Sequence, residues 1–217
     1  EFVAYSLQPF ISAIENRLSM DDLTAHNNVV RFALDETFLR ADTAARLDAI
    51  EKIRPAGCRL VWTLGNHDMR YESALVSRAP EFSGVDGFNL KFHFPNWETC
   101  WSFWVNDDTV IKHRHKGGRY AGYNNVQASF CNIFTGHTHV LTCSPISTFD
   151  QKTYWGVQTG TLADVNADSF SYTEDNAKDW RQGFIMASWE EGRLLMPEMI
   201  MVCGDDQVEF RGEVLKI

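Results

Sequence analysis

The stretch RLVWTLGNHDMR, residues 59–70, decides how the chain is read. Its first half is short, apolar and partly β-branched, as a buried strand requires. Its second half places Asn66, His67 and Asp68 directly after that strand, where a chain building only a core has no need of them. Upstream, apolar residues recur at helical spacing from Asn28 to Ile53, and "RPAG" at residues 54–57 ends that pattern with Pro55 and Gly57. Helix, loop and strand in that order predict an α/β fold.

The rest of the chain repeats the arrangement. "TVIKH" at 109–113 and "CNIFTGH" at 131–137 each read as a strand running into a histidine. "YAGYNNVQAS" between them reads as a loop and short helix. After His139 the pattern changes to short β segments separated by turns: "VLTCS", "TYWGVQ", "GFIMASW", "LLMPEMIMV" and "VEFRG". "ADSFSYTEDNAKDW" at 167–180 reads as an excursion loop among them. Residues 78–108, rich in Gly, Pro and aromatic rings, read as a long connection packed by its own rings, or as a wall or lid beside a site.

Composition narrows the function. The 217 residues, 44% of them hydrophobic, suffice for one substantial domain over 1–217. A net charge of -9 argues against broad binding to nucleic acid, which depends on Lys and Arg neutralising phosphates. The strongest basic run, "KHRHKGGR" at 112–119, is short enough to serve one site. Five cysteines without a CxxC pair predict reduced, mostly buried thiols. No apolar run is long enough to span a bilayer and the first residues lack signal-peptide character, so a cytoplasmic protein without a membrane partner is expected.

Five of the seven histidines fall in three places, each directly after an apolar strand: "LGNHD", "IKHRH" and "TGHTH". Loops at the carboxyl ends of strands in an open α/β sheet converge on one crevice, so these residues are expected to meet. Gly65 and Gly136 precede two of the sets and allow tight turns there. His137 and His139 flank one residue, so in extended geometry both rings face one side and reach one metal or two adjacent ones. Imidazole and amide oxygen ligands suit Zn, Fe, Mn or Ni rather than Ca or Mg.

In the order "GNHD" (65–68), a strand ending in His113, and "GHTH" (136–139), the chain resembles the calcineurin-like metallophosphoesterases. "YWGVQTGTL", ending at Leu162, is similar to the strand and glycine turn that follow the family's last metal motif. "VIKHRHKGGRYAGYNN" with "TGHTH", "GTLAD" and "YTEDNAKDWRQGF" most resembles the bacteriophage and prophage members. The resemblance implies a four-layer αββα sandwich of two mixed β-sheets flanked by helices, with a centre of two divalent transition metals at the strand ends. It implies Asn66, His113 and His137 as ligands of the second metal and His139 as a ligand of the first. His67 is the implied catalytic residue near the leaving group, with Asp68 orienting its ring. Arg114, or else Lys116 or Arg119, is the candidate to bind the phosphate by its positive charge, the alternative being a solvated basic surface.

The family's early DxH and GDxxD motifs do not occur in these 217 residues, so the resemblance predicts that the strands carrying them precede residue 1. The implied activity is hydrolysis of a phosphomonoester or phosphodiester. Two metals about 3.5 to 4 Å apart can lower the pKa of a bridging water and clamp the phosphate oxygens. The alternatives are a phage-type nuclease, with nucleic acid as substrate only and bases stacking on Trp97, Trp101 or Trp104, and a non-catalytic domain of the same fold.

Overall fold

The computed structural model describes residues 50–52, 54–82, 84–86, 92, 94–166, 178–204 and 207–216. The chain packs as two compact units, one of Glu1–Leu60 with Asn66–Asn96 and the other of Val61–Gly65 with Trp97–Ile217. Each is described by itself. The helical segment expected over Asn28–Ile53 lies outside the described residues apart from 50–52, which are helical. Most of the excursion expected at 167–180 also lies outside them.

In the first unit, helix α1 spans Asn66–Arg78, and a 3-10 turn, Pro80–Phe82, follows it. Asp68 lies in the first turn of α1 and Arg78 in the last, so each charge complements its end of the helix dipole. Ala79, at 2% exposure, is buried where the helix gives way to the turn.

The second unit holds most of the strands. β1 (Leu60–Thr63) pairs with β2 (Trp97–Cys100) in a small sheet of its own. Then come β3 (Ser102–Asn106), β4 (Thr109–Lys112), helix α2 (Ala121–Ser129), β5 (Asn132–Thr135), β6 (Leu141–Ser147) and β7 (Thr153–Thr159). These strands form a mixed sheet in the order β3-β4-β5-β7-β6. β4, β5 and β7 are parallel; β3 and β6 flank them antiparallel. All four residues of β5 are buried, as a strand covered on both faces demands.

The two faces of this sheet read off the alternation. Val110 and Ile133 face α2, where they pack with Val126, Cys131, Ile146 and Tyr154. Phe134 and Val157 face the other way and cluster with Leu194, Ile111, Trp155, Ile185 and Trp189. Val126 and Val157 are fully buried, and each contributes about 1.5 to 3 kcal/mol by leaving water. Helix α2 sits close because Gly122 meets Gly156: a Cβ built on Gly156 would lie 1.9 Å from the Gly122 carbonyl oxygen. The helix ends at Phe130, which takes the left-handed conformation and donates its N–H to the Val126 carbonyl.

The C-terminal strands are β8 (Gly183–Met186), β9 (Trp189–Glu190), β10 (Arg193–Leu194), β11 (Glu198–Gly204), β12 (Gln207–Phe210) and β13 (Glu213–Lys216). β9 and β10 form a hairpin; the others form an antiparallel sheet ordered β13-β12-β11-β8. Glu191-Gly192 and Arg211-Gly212 turn the two hairpins with positive φ at both residues, as the right-handed strand twist favours. Ile185, Leu194 and Trp189 join these strands to the far face of the five-stranded sheet.

The fold is therefore mixed α/β with several sheets and few helices among the described residues, in keeping with the expected α/β class. Two readings need correction. Residues 97–106 are strands β2 and β3 rather than part of a ring-packed connection, because Trp97, Trp104 and their neighbours pair across a sheet. The thiols are all free, but only Cys131 is buried, while Cys58 and Cys203 are exposed. No helix among the described residues is long and apolar enough to cross a membrane.

Candidate metal site

The parallel strands β4 and β5 end side by side, with Lys112 in register with Thr135, and each chain then turns outward into a histidine loop. The carbonyl of His113 accepts the N–H groups of both Gly136 and His137, at 3.1 and 3.0 Å, which ties one loop to the other. The side chains follow: His113 Nε2 lies 3.1 Å from His137 Nδ1, with the ring planes 68° apart. The convergence expected from three separate motifs thus holds for this pair.

Gly65 belongs to the same arrangement. A Cβ there would lie 2.6 Å from His113 Nδ1, so only glycine lets the strand end lie against the imidazole. This replaces the tight-turn explanation, since neither Gly65 nor Gly136 takes a positive φ.

His139 behaves differently from its neighbour. Residues 136–139 form a turn, closed by the His139 N–H on the Gly136 carbonyl, and His139 takes φ of 59°. The extended geometry that would align the rings of His137 and His139 is absent. The His139 ring instead meets Trp180 edge-on at 4.8 Å, and its carbonyl accepts the Arg181 N–H. Asn66, His67 and Asp68 open α1 in the first unit, where Asn66 and Asp68 are half-buried and His67 is exposed.

Polar residues missed in the sequence support the histidine loops from beneath. Asn125, fully buried on α2, accepts the Lys116 N–H at 2.8 Å and donates to Thr135 Oγ1 at 3.1 Å. Thr135 donates in turn to the Val157 carbonyl. Thr138 Oγ1 donates to Gln158 Oε1, while the buried Gln158 Nε2 has no hydrogen-bond partner among the described residues. A polar side chain at or next to the last position of an otherwise apolar buried strand, Thr135 in β5 and Gln158 in β7, is the signal that would have found them.

The electrostatics keep His137 ready for a cation. Burial, and then the positive charge of Arg114, lower the pKa of His137, so its imidazole stays neutral and its lone pair available. Arg114 is exposed; Arg119 is engaged with Asp179 at 3.4 Å.

The two nitrogens fit a metal. Bonds of about 2.0 to 2.1 Å to one tetrahedral ion place two ligand nitrogens about 3.3 Å apart, close to the separation here. Among the described residues no three His, Cys, Asp or Glu side chains group closely enough to complete such a site by themselves. Comparison of the chain with protein-family models, with curated proteins and with solved structures finds no match.

Proposed function

We propose that the chain is a metal-dependent hydrolase of phosphomonoesters or phosphodiesters, built on the four-layer sandwich of the calcineurin-like phosphoesterases. The observation that carries this reading is the 3.1 Å approach of His113 Nε2 and His137 Nδ1 at the carboxyl ends of adjacent parallel strands. His113 and His137 hold one divalent transition metal of the Mn, Fe, Ni or Zn type, and His139 serves a second. When bound, such metals supply Lewis acidity, which neutralises phosphate charge and lowers the pKa of water. The residues of the chain do the rest. Arg114 adds positive charge beside His137 to attract the phosphate, and His67, oriented by Asp68, gives a proton to the leaving oxygen.

The test is metal titration by calorimetry, followed by an aryl phosphate assay with Mn and Ni. Wild type should bind a divalent transition metal and hydrolyse the ester, His137→Ala should bind at least about tenfold more weakly, and His67→Ala should bind metal but lose turnover. Absence of metal binding and of any stimulation by Mn or Ni would sink the reading. Cyclic nucleotide and single-stranded DNA arms separate a phosphodiesterase from a nuclease.

One observation favours a second reading, in which a single metal is held without chemistry. His139 packs on Trp180, while His113 and His137 face one another. A stoichiometry of one metal with no turnover would select it.

A further inference from the structure

Among the described residues, helix α2 lies over β5, β6 and β7 of the five-stranded sheet and covers the same face less fully over β3 and the end of β4. The result is an open groove of about 220 Å³. Its floor is apolar, formed by Val110 and Ile133. Trp104 stands directly across from Val110 in the β3–β4 register and is 56% exposed, an aromatic surface available to a ligand.

The groove has a different chemistry at its other end. Ser102 lies opposite Lys112 in the same register, and both line the groove together with His115. A hydroxyl, an ammonium and an imidazole therefore stand at one end of an apolar slot with an indole along its side. Lys112 and His115 flank His113 in sequence, so the polar end adjoins the loop that carries the candidate metal ligand.

This distribution selects a ligand with two parts. A flat ring stacks on Trp104 and covers the apolar floor, and an anionic group attached to it meets Lys112, His115 and Ser102. The volume suits a single planar ring system, being below the range of pockets that enclose drug-sized ligands, about 300 to 1,000 Å³. We infer that the groove seats a planar aromatic group carrying a phosphate, which makes the favoured ester an aryl or nucleoside phosphate rather than a sugar or aliphatic one. The inference rests on the phosphoesterase reading for its link to turnover, whereas binding in the groove stands by itself.

The experiment measures binding and turnover separately. Metal-free protein in chelator is titrated by calorimetry with AMP, adenosine, phenyl phosphate, ribose 5-phosphate and inorganic phosphate. AMP and phenyl phosphate should bind at least about tenfold more tightly than ribose 5-phosphate, the scale of one base–aromatic stack. Trp104→Ala, at an exposed position, should abolish that preference. Lys112→Ala should weaken every phosphate-bearing ligand while leaving adenosine binding unchanged. Equal binding of AMP and ribose 5-phosphate, or an unchanged AMP affinity in Trp104→Ala, would overturn the groove assignment even if the metal-loaded protein hydrolyses esters. Aromatic preference without hydrolysis under any metal would instead overturn the phosphoesterase reading and leave the groove a binding site.

Discussion

The two ends of the parallel strands β4, β5 and β7 carry polar residues of similar kinds put to opposite use. At the amino ends, Thr109 donates to Asp108, and Asn132 donates to Thr109 Oγ1 at 3.2 Å and to Asp108 Oδ1 at 3.4 Å. Asn132 Oδ1 accepts the Trp155 N–H at 2.9 Å, and the Asn132 N–H reaches the Asp108 carbonyl. The groups there satisfy one another and lock three strands in register. At the carboxyl ends, the imidazoles of His113 and His137 hydrogen-bond one another at 3.1 Å, the buried amide nitrogen of Gln158 has no partner among the described residues, and His139 takes a left-handed conformation. The amino end is closed among its own groups, whereas the carboxyl end keeps capacity in the spare Gln158 donor and in an imidazole pair that can exchange its mutual bond for a ligand.

The most severe way to break the contrast is to remove the frame both ends share. In Gly156→Ala the new methyl would sit 1.9 Å from the Gly122 carbonyl oxygen and 2.8 Å from Val126. Backbone lies on both sides of that contact, so α2 must lift from the sheet. A loss of about 3 kcal/mol is expected from such overpacking, with α2 and the Asn125 bonds to the histidine loop disrupted together. Chemical denaturation and metal titration on one sample would check it. An unchanged midpoint would mean that the helix is not seated on β7 as described.

Asn132→Ala tests the amino end alone. It removes the acceptor of the half-buried Trp155 N–H and two donor contacts, and should cost about 2 kcal/mol. Metal affinity should not change. His137→Ala should show the reverse, with a smaller change in stability and a large loss of metal binding. If Asn132→Ala weakened metal binding as much as His137→Ala did, the division of labour between the ends would be wrong.

Much of this division is legible in the sequence, and for a stated reason. A strand running into a histidine has both a period and a chemical anomaly, so β4, β5 and the His113–His137 meeting follow from local pattern and strand-end convergence. "YAGYNNVQAS" likewise contains α2 almost residue for residue. What escaped the sequence depends on partners. Nothing local in "WETC" or "SFWVN" distinguishes an edge strand from a ring-rich loop until β1 or β4 lies beside it. The left-handed turn at His139 was invisible for the same reason, since spacing alone assumed an extended chain. Gly65 was correctly singled out, but its cause, contact with a residue 48 positions later, belongs to tertiary structure.

The smallest expected effect concerns protonation at the carboxyl end. His137 is held below its ordinary pKa first by burial and second by the charge of Arg114. In the metal-free protein the unfolded chain therefore takes up this proton at a higher pH than the folded chain does. The stability involved is fully present above the ordinary His value of about 6.5 and is lost as the pH falls through the folded value. Arg114→Ala removes only the lesser cause, so the His137 pKa should rise without regaining its ordinary value, because burial persists. Following the imidazole C–H resonances of both proteins against pH measures this directly. Asn132→Ala, at the other end of the strands, should leave the titration where it was. If His137 titrates at its ordinary value in wild type, its ring is more solvated than the strand-end geometry requires. A neutral His137 imidazole would then lose its main physical support.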